Sequence, residues 1–281
     1  MPTVIPWSEL CDLTDVAALY DRTPEGLEAM TVGWPPSVQG FALVSVRGVL
    51  AAALRVVGDG SLTLAQLARD PVLPPRRALP LVAWGEDQAR ERGVQRLRVS
   101  LMGAPGLGPL LDARGFALTE RFLRLVLDGD PAAPGPLPAG VRAVGMDEVG
   151  IERFLAMSNA AFATVPGALP LSPDDWASMV EGPGFREDLL HILADAAGPL
   201  GFVRSEIEGR TGTIDALALD PRGRGRGLGR WLLRWSAQAL RAKQVATVDL
   251  WVAESNTPAK GLYEGDGYRQ VLARESWERS L

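Results

Sequence analysis

The sequence has few of the residues on which several common kinds of protein chemistry depend. Of the 281 residues, one is cysteine, Cys11, and one is histidine, His191. A single cysteine excludes an internal disulfide, and a zinc site built from several histidines is impossible. A Ser-His-Asp triad would have to use His191, whose alternating run LLHILAD is more typical of a core or edge strand.

Long apolar segments and an excess of basic residues are also missing. The longest aliphatic run, about Val49 to Leu54, is far shorter than the ~18 residues that cross a membrane, and we expect no signal peptide. Lysine plus arginine number 29 against 34 aspartate plus glutamate, a net charge of −5 that argues against nucleic-acid and membrane partners. We therefore expect a cytoplasmic protein.

The composition and length favour two globular domains. Apolar residues make up 47% and charged residues 22%, and a domain takes roughly 100–200 residues. The segment Leu127 to Gly140, LDGDPAAPGPLPAG, has four prolines, three glycines and little to bury, which is typical of an exposed linker. We predict a domain over 1–128, a linker over 129–139 and a domain over 140–281.

Behind the linker, the apolar spacing predicts a mixed α/β domain. Short apolar runs between turn residues indicate strands, and apolar residues at helical spacing indicate helices. Ser172, followed by Pro173 and two aspartates, is expected to cap a helix. In chain order we predict strand Val141–Val144, helix Asp147–Ala161, the helix after Ser172, strands Leu189–Leu193, Leu200–Ile207 and Gly212–Leu219, a helix containing Trp231 and Trp235, strand Thr247–Val252, helix Thr257–Glu264 and a strand after Gly267.

The first half repeats this plan less closely. A shift of 150 residues lays Leu62–Pro71 over Gly212–Pro221. A predicted helix at Arg76–Arg92, a strand at Arg96–Leu101 and the segment LLDARGF, which matches LYEGDGY near the C-terminus, follow in the same order. The pattern indicates an internal duplication.

The most informative segment is the glycine-rich run from Leu219 to Gly229, LDPRGRGRGLG. It stands between a predicted strand and a predicted helix, where unpaired amides at the helix start favour a phosphate group. Glycine lets the backbone approach a bulky anion closely, and the loop arginines add positive charge. The glycines are Gly225, Gly227 and Gly229, and the arginines are Arg222, Arg224, Arg226 and Arg230.

Three other interpretations of this loop fit less well. A disordered RGG-type nucleic-acid segment would not stand between an apolar strand and a tryptophan-bearing helix. The dinucleotide fingerprint GxGxxG fails on register, which weakens the case for a nicotinamide oxidoreductase. A Walker loop needs Gly-Lys-Ser/Thr, and neither Lys243 nor Lys260 stands in that context.

Two motifs resemble those of the GCN5-related N-acetyltransferase (GNAT) superfamily. Its coenzyme-A loop, Arg/Gln-x-x-Gly-x-Gly/Ala, is met by Arg224, Gly227 and Gly229. Its second signature is met by Asn256, Ala259, Leu262, Tyr263, Gly267 and Tyr268. The resemblance covers about residues 141–275 closely and implies an α/β fold, a mixed sheet with flanking helices. The duplication is similar to the tandem arrangement of mycothiol-synthase-type acetyltransferases.

The resemblance also implies roles for individual residues. The pantetheine arm of acetyl-CoA would pair with the backbone of Leu217, Ala218 and Leu219. The pyrophosphate would lie on the amides of Arg224, Gly225, Arg226, Gly227, Leu228, Gly229 and Arg230. Asn256 would bind the pantetheine or hold the next helix. Tyr263 would protonate the departing thiolate, since a tyrosine with a pKa of about 10 is protonated at neutral pH.

The general base is where the sequence departs from the family. Thr213 stands where many members have a glutamate, and threonine cannot serve as a base. Asp215 is the first substitute, because strand alternation puts it on the same face, and Glu206 is the second. Water is an equally good alternative.

The first half lacks the chemistry-bearing residues. In the repeat, the segment that corresponds to the glycine-rich loop is Pro74 to Leu79, PPRRAL, which has no glycine. Leu111 corresponds to Tyr263, and Ala104 corresponds to Asn256. We therefore expect tandem GNAT-like domains of which the N-terminal one is degenerate.

The expected function is an acyl-CoA-dependent N-acyltransferase that uses acetyl-CoA and no metal. A primary amine, from a small molecule or a peptide N-terminus, would attack the thioester directly in a ternary complex. The alternative is a non-catalytic CoA-binding module. The oligomeric state is left open.

Overall fold

The structure, a computed structural model, describes residues 2–20, 24, 25, 27, 38–45, 48–58, 61–102, 104–163, 170–182 and 185–281. The chain forms two compact units. Unit 1 comprises Met1–Phe122 and Ala273–Leu281, and unit 2 comprises Leu123–Leu272. Each unit combines a mixed sheet with helices, so the predicted α/β class is confirmed.

In unit 1 the strand order is β1-β2-β3-β4-β5-β12. Its strands are β1 Thr3–Pro6, β2 Val38–Ser45, β3 Gly48–Gly58, β4 Ser61–Arg69, β5 Arg96–Met102 and the end of β12 Tyr268–Ser280. Its helices are α1 Thr14–Leu19, α2 Leu79–Glu91 and α3 Gly108–Asp112. The core lies between α2 and the sheet, where the fully buried Leu81 and Val82 join Leu62, Leu64 and Val99.

In unit 2 the strand order is β6-β11-β10-β9-β8-β7. Its strands are β6 Ala117–Leu127, β7 Arg142–Val144, β8 Leu190–Asp195, β9 Gly198–Glu208, β10 Thr211–Leu219 and β11 Thr247–Ala253. Its helices are α4 Met146–Val149, α5 Ile151–Phe162, α6 Pro173–Glu181, α7 Leu228–Ala242 and α8 Thr257–Glu264. Strand β6 runs from one unit into the other.

Helices cover both faces of the unit 2 sheet. On one face, Phe154 of α5 and Trp176 of α6 pack on Phe202 of β9. On the other face lies α7, since a side chain at Gly212 would meet Leu240 at 2.7 Å. The sheet is thus the middle layer of unit 2.

Most predicted elements of unit 2 are confirmed within a few residues. Ser172 caps α6, accepting the Asp175 amide at 3.1 Å while the Asp175 carboxylate accepts the Ser172 amide at 2.9 Å. The single helix predicted over Asp147–Ala161 is wrong: Gly150, with φ +77°, separates α4 from α5. A residue in that backbone conformation interrupts a helix, and glycine adopts it without strain.

The duplicated segment occupies matching strands. The shift of 150 residues places β4, Ser61–Arg69, on β10, Thr211–Leu219. Both strands also contain a bulge, β4 between Leu64 and Leu67 and β10 between Ile214 and Ala216. The first predicted helix of the repeat is in part a 3₁₀ turn, Pro75–Ala78, before α2.

The compact units differ from the predicted domains at the C-terminus. Residues 273–281 belong to unit 1, because β12 pairs antiparallel with β5 from Arg274↔Met102 to Ser280↔Arg96. Arg279 forms an ion pair with the buried carboxylate of Glu86 at 3.2 Å. The last strand therefore completes the sheet of the first unit.

The proline-rich segment has neither helix nor strand between Asp128 and Val141. It is nevertheless held against α7, since the Trp231 indole donates to the Gly135 carbonyl at 2.6 Å and Arg241 donates to that of Gly129 at 3.1 Å. Among the described residues, no helix is both long and apolar enough to span a bilayer.

Candidate active site

The two central strands of unit 2 run side by side and then separate. Parallel β10 and β11 pair only up to Ile214↔Leu250. The bulge at Asp215 bends β10, and beyond it β10 keeps its antiparallel partner β9. In this fully described stretch, one backbone edge of β10 is therefore open to a strand-like ligand. The open edge consists of the predicted pantetheine residues Leu217, Ala218 and Leu219.

The glycine-rich loop leaves the end of this open edge. A 3₁₀ turn at Pro221–Gly223 packs so tightly that a Cβ on Gly223 would lie 2.5 Å from the Leu200 carbonyl oxygen. Gly225 and Gly227 have φ of +71° and +76°, the left-handed region that favours glycine. Gly227 is the N-cap of α7.

Consecutive amides at this helix start have no partner in the backbone. The first helical hydrogen bond is donated by Trp231 to the Gly227 carbonyl, at 3.0 Å. Within the described chain, the amides of residues 225–230 donate to no backbone carbonyl, whereas that of Arg224 donates to Pro221 at 3.3 Å. These amides and the positive end of the helix dipole are suited to an anion, to which Arg224 can contribute its exposed side chain.

The loop arginines differ in their partners. Arg226 lies 3.8 Å from Asp195, and Arg230 lies 3.0 Å from the buried carboxylate of Asp266. Arg222 donates to Asp220 at 2.9 Å. Arg224 makes no ion pair with any described residue, so its charge is the one left free for a phosphate.

Helix α8 lies beside the separated strands. A Cβ on Gly229 would lie 3.3 Å from Leu219 and 3.4 Å from Leu262, so the start of α7 lies close to both α8 and the end of β10. Asn256 accepts the Ala259 amide at 3.3 Å and caps this helix. Of the two roles that the resemblance offers for Asn256, the structure therefore contains the helix-holding contact.

Tyr263 follows Leu262 in α8. Its side chain is buried, 7% exposed, and its ring centroid lies 6.1 Å from that of Tyr268. Burial raises the pKa of Tyr263 to about 12. The phenol is therefore protonated at neutral pH and able to donate a proton.

A cavity of about 320 Å³ adjoins the bulge of β10. Both candidate bases line it, together with Arg204. The remaining lining residues are Met179, Phe185 and Ser205. Two carboxylates and one guanidinium leave this cavity acidic, which suits a cationic amine.

The two candidate bases have different surroundings in this cavity. The guanidinium of Arg204 donates to Asp215 through Nε at 2.9 Å and through a second nitrogen, so this carboxylate is already paired. Burial raises the pKa of Glu206, and the charge of Asp215 raises it further against the opposing effect of Arg204. A carboxylate with a raised pKa is the better proton acceptor near neutral pH.

Thr213 takes part in a hydrogen-bond network that the sequence did not predict. Its hydroxyl donates to Asp249 of β11 at 2.7 Å, and Arg124 of β6 donates to the other oxygen of that carboxylate at 2.5 Å. The Asp249 side chain is 3% exposed. A signal existed, since Asp249 is the one charged residue in the apolar run TVDLWVA.

His191 lies in β8, as expected of a strand residue. Its ring stacks on Trp235 of α7 with a centroid distance of 4.0 Å. Burial lowers the pKa of His191, so the imidazole is neutral at pH 7. It is not among the residues that line the cavity.

The corresponding strands of unit 1 do not separate. After its bulge β4 pairs with β5 again at Leu67↔Leu101, where Leu67 matches Leu217 of the repeat. Arg69, which corresponds to Leu219 in the repeat, is buried at the end of β4 and bonds to the neighbouring loops. Its guanidinium donates to the carbonyls of Asp70 (2.8 Å), Leu73 (2.8 Å) and Pro105 (2.6 Å).

The loop of unit 1 also lacks amide donors. Pro74 and Pro75 have no N–H, and the Arg77 amide donates to the Pro74 carbonyl at 2.9 Å. Leu111, which matches Tyr263, is buried in the core. Elsewhere in the described ranges, no group of three or more histidine, cysteine, aspartate or glutamate side chains is placed to hold a metal ion.

The sequence matches known acetyltransferases. Residues 168–268 match the model of the Acetyltransferase (GNAT) family. A mycothiol acetyltransferase of Clavibacter michiganensis subsp. michiganensis is 28% identical over 86% of this chain and 81% of its own length. One of Beutenbergia cavernae is 31% identical over 62% of this chain and 63% of its own length.

Solved structures share the fold over nearly the whole chain. A GCN5-related N-acetyltransferase from Sphaerobacter thermophilus has a TM-score of 0.81 at 19% identity and covers 99% of this chain and 95% of its own. A tandem GNAT protein from the clavulanic acid biosynthesis pathway has a TM-score of 0.75 at 18% identity, with 100% and 98% covered.

The strand separation, the glycine-rich loop and α8 occur together in the region that the family model matches. The structural likeness extends to the first unit and accounts for the duplicated plan. Residues 168–268 thus form a GNAT family domain, and the chain is an N-acetyltransferase with the fold of tandem GNAT proteins.

Proposed function

We propose that unit 2 transfers the acetyl group of acetyl-CoA to the primary amine of a small molecule. The observation that supports this most is the continuity of three features: the open edge of β10, the unpaired amides of residues 225–230 and the acidic cavity at Asp215. The first two suit a pantetheine-pyrophosphate ligand, and the third suits an amine.

The cosubstrate would bind through backbone groups. Pantetheine amides would pair with Leu217, Ala218 and Leu219, and the pyrophosphate would accept hydrogen bonds from the amides at the start of α7. Arg224 would add a charge-assisted contact. GNAT enzymes use acetyl-CoA, and the thioester would then lie where β10 and β11 separate.

The reaction needs one base and one acid. The amine nitrogen attacks the thioester carbonyl carbon, a C–N bond forms, and the C–S bond breaks as the thiolate leaves. Glu206 accepts the proton that the amine loses, and Tyr263 donates one to the thiolate. We assign the base to Glu206 before Asp215, because Asp215 is held by Arg204 and the pKa of Glu206 is raised.

Direct attack is favoured over an acyl-enzyme. The residues that line the cavity include no cysteine, and the hydroxyl of its one serine, Ser205, is buried in a hydrogen bond with Ser236 at 2.5 Å. Binding both substrates together would also supply much of the rate enhancement through orientation.

The acceptor is proposed to be a small-molecule amine rather than a peptide N-terminus. The cavity of about 320 Å³ has the size of a small-metabolite site. The relatives are named mycothiol acetyltransferases, which makes their acceptor the first candidate to test.

The test is product formation from acetyl-CoA with a panel of amines, followed by mass spectrometry. Wild-type protein should acetylate at least one amine, Glu206→Gln should be at least tenfold slower, and Asp215→Asn should be less impaired. If Asp215→Asn is the slower variant, the base is misassigned. Tight CoA binding without product from any amine would instead favour a non-catalytic CoA-binding module.

A further inference from the structure

A row of polar side chains crosses the sheet of unit 2 just before the strands separate. Glu206 of β9 is the register partner of Thr213 of β10, and Thr213 is the register partner of Asp249 of β11. Arg124 of β6 lies next to Asp249. Directly opposed residues on neighbouring strands project from the same face, so Thr213 is flanked by a candidate base and a buried carboxylate.

The network determines which way the Thr213 hydroxyl points. Asp249 is ion-paired with Arg124 and accepts hydrogen bonds at both oxygens, from Thr213 at 2.7 Å and from Arg124 at 2.5 Å. A carboxylate in an ion pair can only accept, so the hydroxyl proton of Thr213 is committed to Asp249. The hydroxyl oxygen is left with lone pairs alone.

We infer that Thr213 binds the acceptor amine: its hydroxyl oxygen accepts an N–H of the amine, and Asp249 and Arg124 hold it in that orientation. This inference rests on the proposed function. A primary ammonium has three N–H donors, and Glu206 can accept one of them and take its proton. A second N–H held by Thr213 then fixes the direction of the nitrogen lone pair that results. Thr213 is half-buried and accessible to a small ligand.

Three substitutions separate this role from packing. Thr213→Val keeps the side-chain shape and removes the acceptor, whereas Thr213→Ser keeps the hydroxyl. In Asp249→Asn, Arg124 retains the amide oxygen as its partner, which turns the amide NH₂ towards Thr213. The hydroxyl would then accept from Asn, keep only one free lone pair and be able to point its proton at the amine, so its acceptor role would be weakened although Thr213 is intact.

The experiment measures amine binding to protein saturated with CoA, which has no acetyl group to transfer. Cysteine methyl ester, glucosamine and spermidine serve as probes in calorimetric titration, and acetylation of the same amines gives KM and kcat. We expect at least tenfold weaker amine binding for Thr213→Val and Asp249→Asn, and less than threefold for Thr213→Ser. The double variant should be no weaker than either single one.

CoA affinity should stay within twofold in every variant, which confirms that the fold and the phosphate loop persist. If Asp249→Asn does not fold, the Val and Ser variants still decide. Wild-type amine affinity in Thr213→Val, or no binding of any probe to wild type, overturns the inference. If Thr213→Val keeps wild-type amine binding and turnover, only the role of Thr213 is refuted. If the wild-type protein binds the amines but forms no acetylated product, the proposed activity is refuted.

Discussion

Substitution of Gly227 tests the phosphate loop most directly. The residue has φ +76° and ψ 0°, and a Cβ built on it would meet nothing within 4 Å. A Cβ there has open space around it and would meet a ligand bound at the loop. A non-glycine residue pays roughly 1–2 kcal/mol for this backbone conformation, but asparagine tolerates it better than valine.

Two variants separate backbone strain from ligand exclusion. Gly227→Val should lower both the melting temperature and CoA affinity, whereas Gly227→Asn should nearly keep the melting temperature and still weaken CoA. We expect a loss of at least tenfold in Kd for both, or about 1.4 kcal/mol. Calorimetric titration with CoA and thermal unfolding are the measurements.

The matched control is Gly135→Ala, in the linker, where a Cβ also has open space and φ is not positive. It should change neither quantity. Wild-type CoA affinity in a folded Gly227→Asn protein would refute the assignment of this loop as the phosphate site.

Four further outcomes are expected. Tyr263→Phe should lower kcat about 10- to 1000-fold with CoA affinity nearly kept, and an unchanged rate would make the phenol structural. The kcat/KM for the amine should fall as the pH decreases through the pKa of Glu206, which is raised above its usual ~4.3, because the base must be deprotonated to act. Glu206→Gln, assayed with the same amine, should lack this fall in kcat/KM at low pH. Gly223→Ala should cost about 2 to 4 kcal/mol in unfolding free energy, since its Cβ would lie 2.5 Å from the Leu200 carbonyl, whereas Gly261→Ala in α8 should be neutral or stabilising. Native mass spectrometry at low micromolar CoA should show one ligand per chain, because the strands of unit 1 stay paired and its loop has two prolines; two equal ligands would contradict this.

The elements predicted best are those whose signals are local. The cap at Ser172, the helix Thr257–Glu264 and the loop glycines are properties of a few adjacent residues, so spacing alone locates them. Gly150 shows the limit of this approach. Apolar spacing continues through it, and only the backbone conformation reveals that the helix is interrupted.

The C-terminal strand shows a second limit. Nothing in the segment after Ala273 indicates that it joins the first unit, because strand pairing depends on edges that form far away in sequence. A composition-based linker marks where a chain is exposed. It does not determine which strands end up as neighbours.

The sequence by itself identified the resemblance to GNAT domains, the glycine-rich loop and Tyr263 as the proposed acid, because each depends on residue types at short fixed spacing. Only the tertiary structure supplies the grounds for the proposed ranking of the bases and for the orientation of Thr213. Those depend on Arg204, Asp249 and neighbouring strands brought together across the sheet. A carboxylate's readiness to accept a proton is set by burial and nearby charge, and neither exists until the chain has folded.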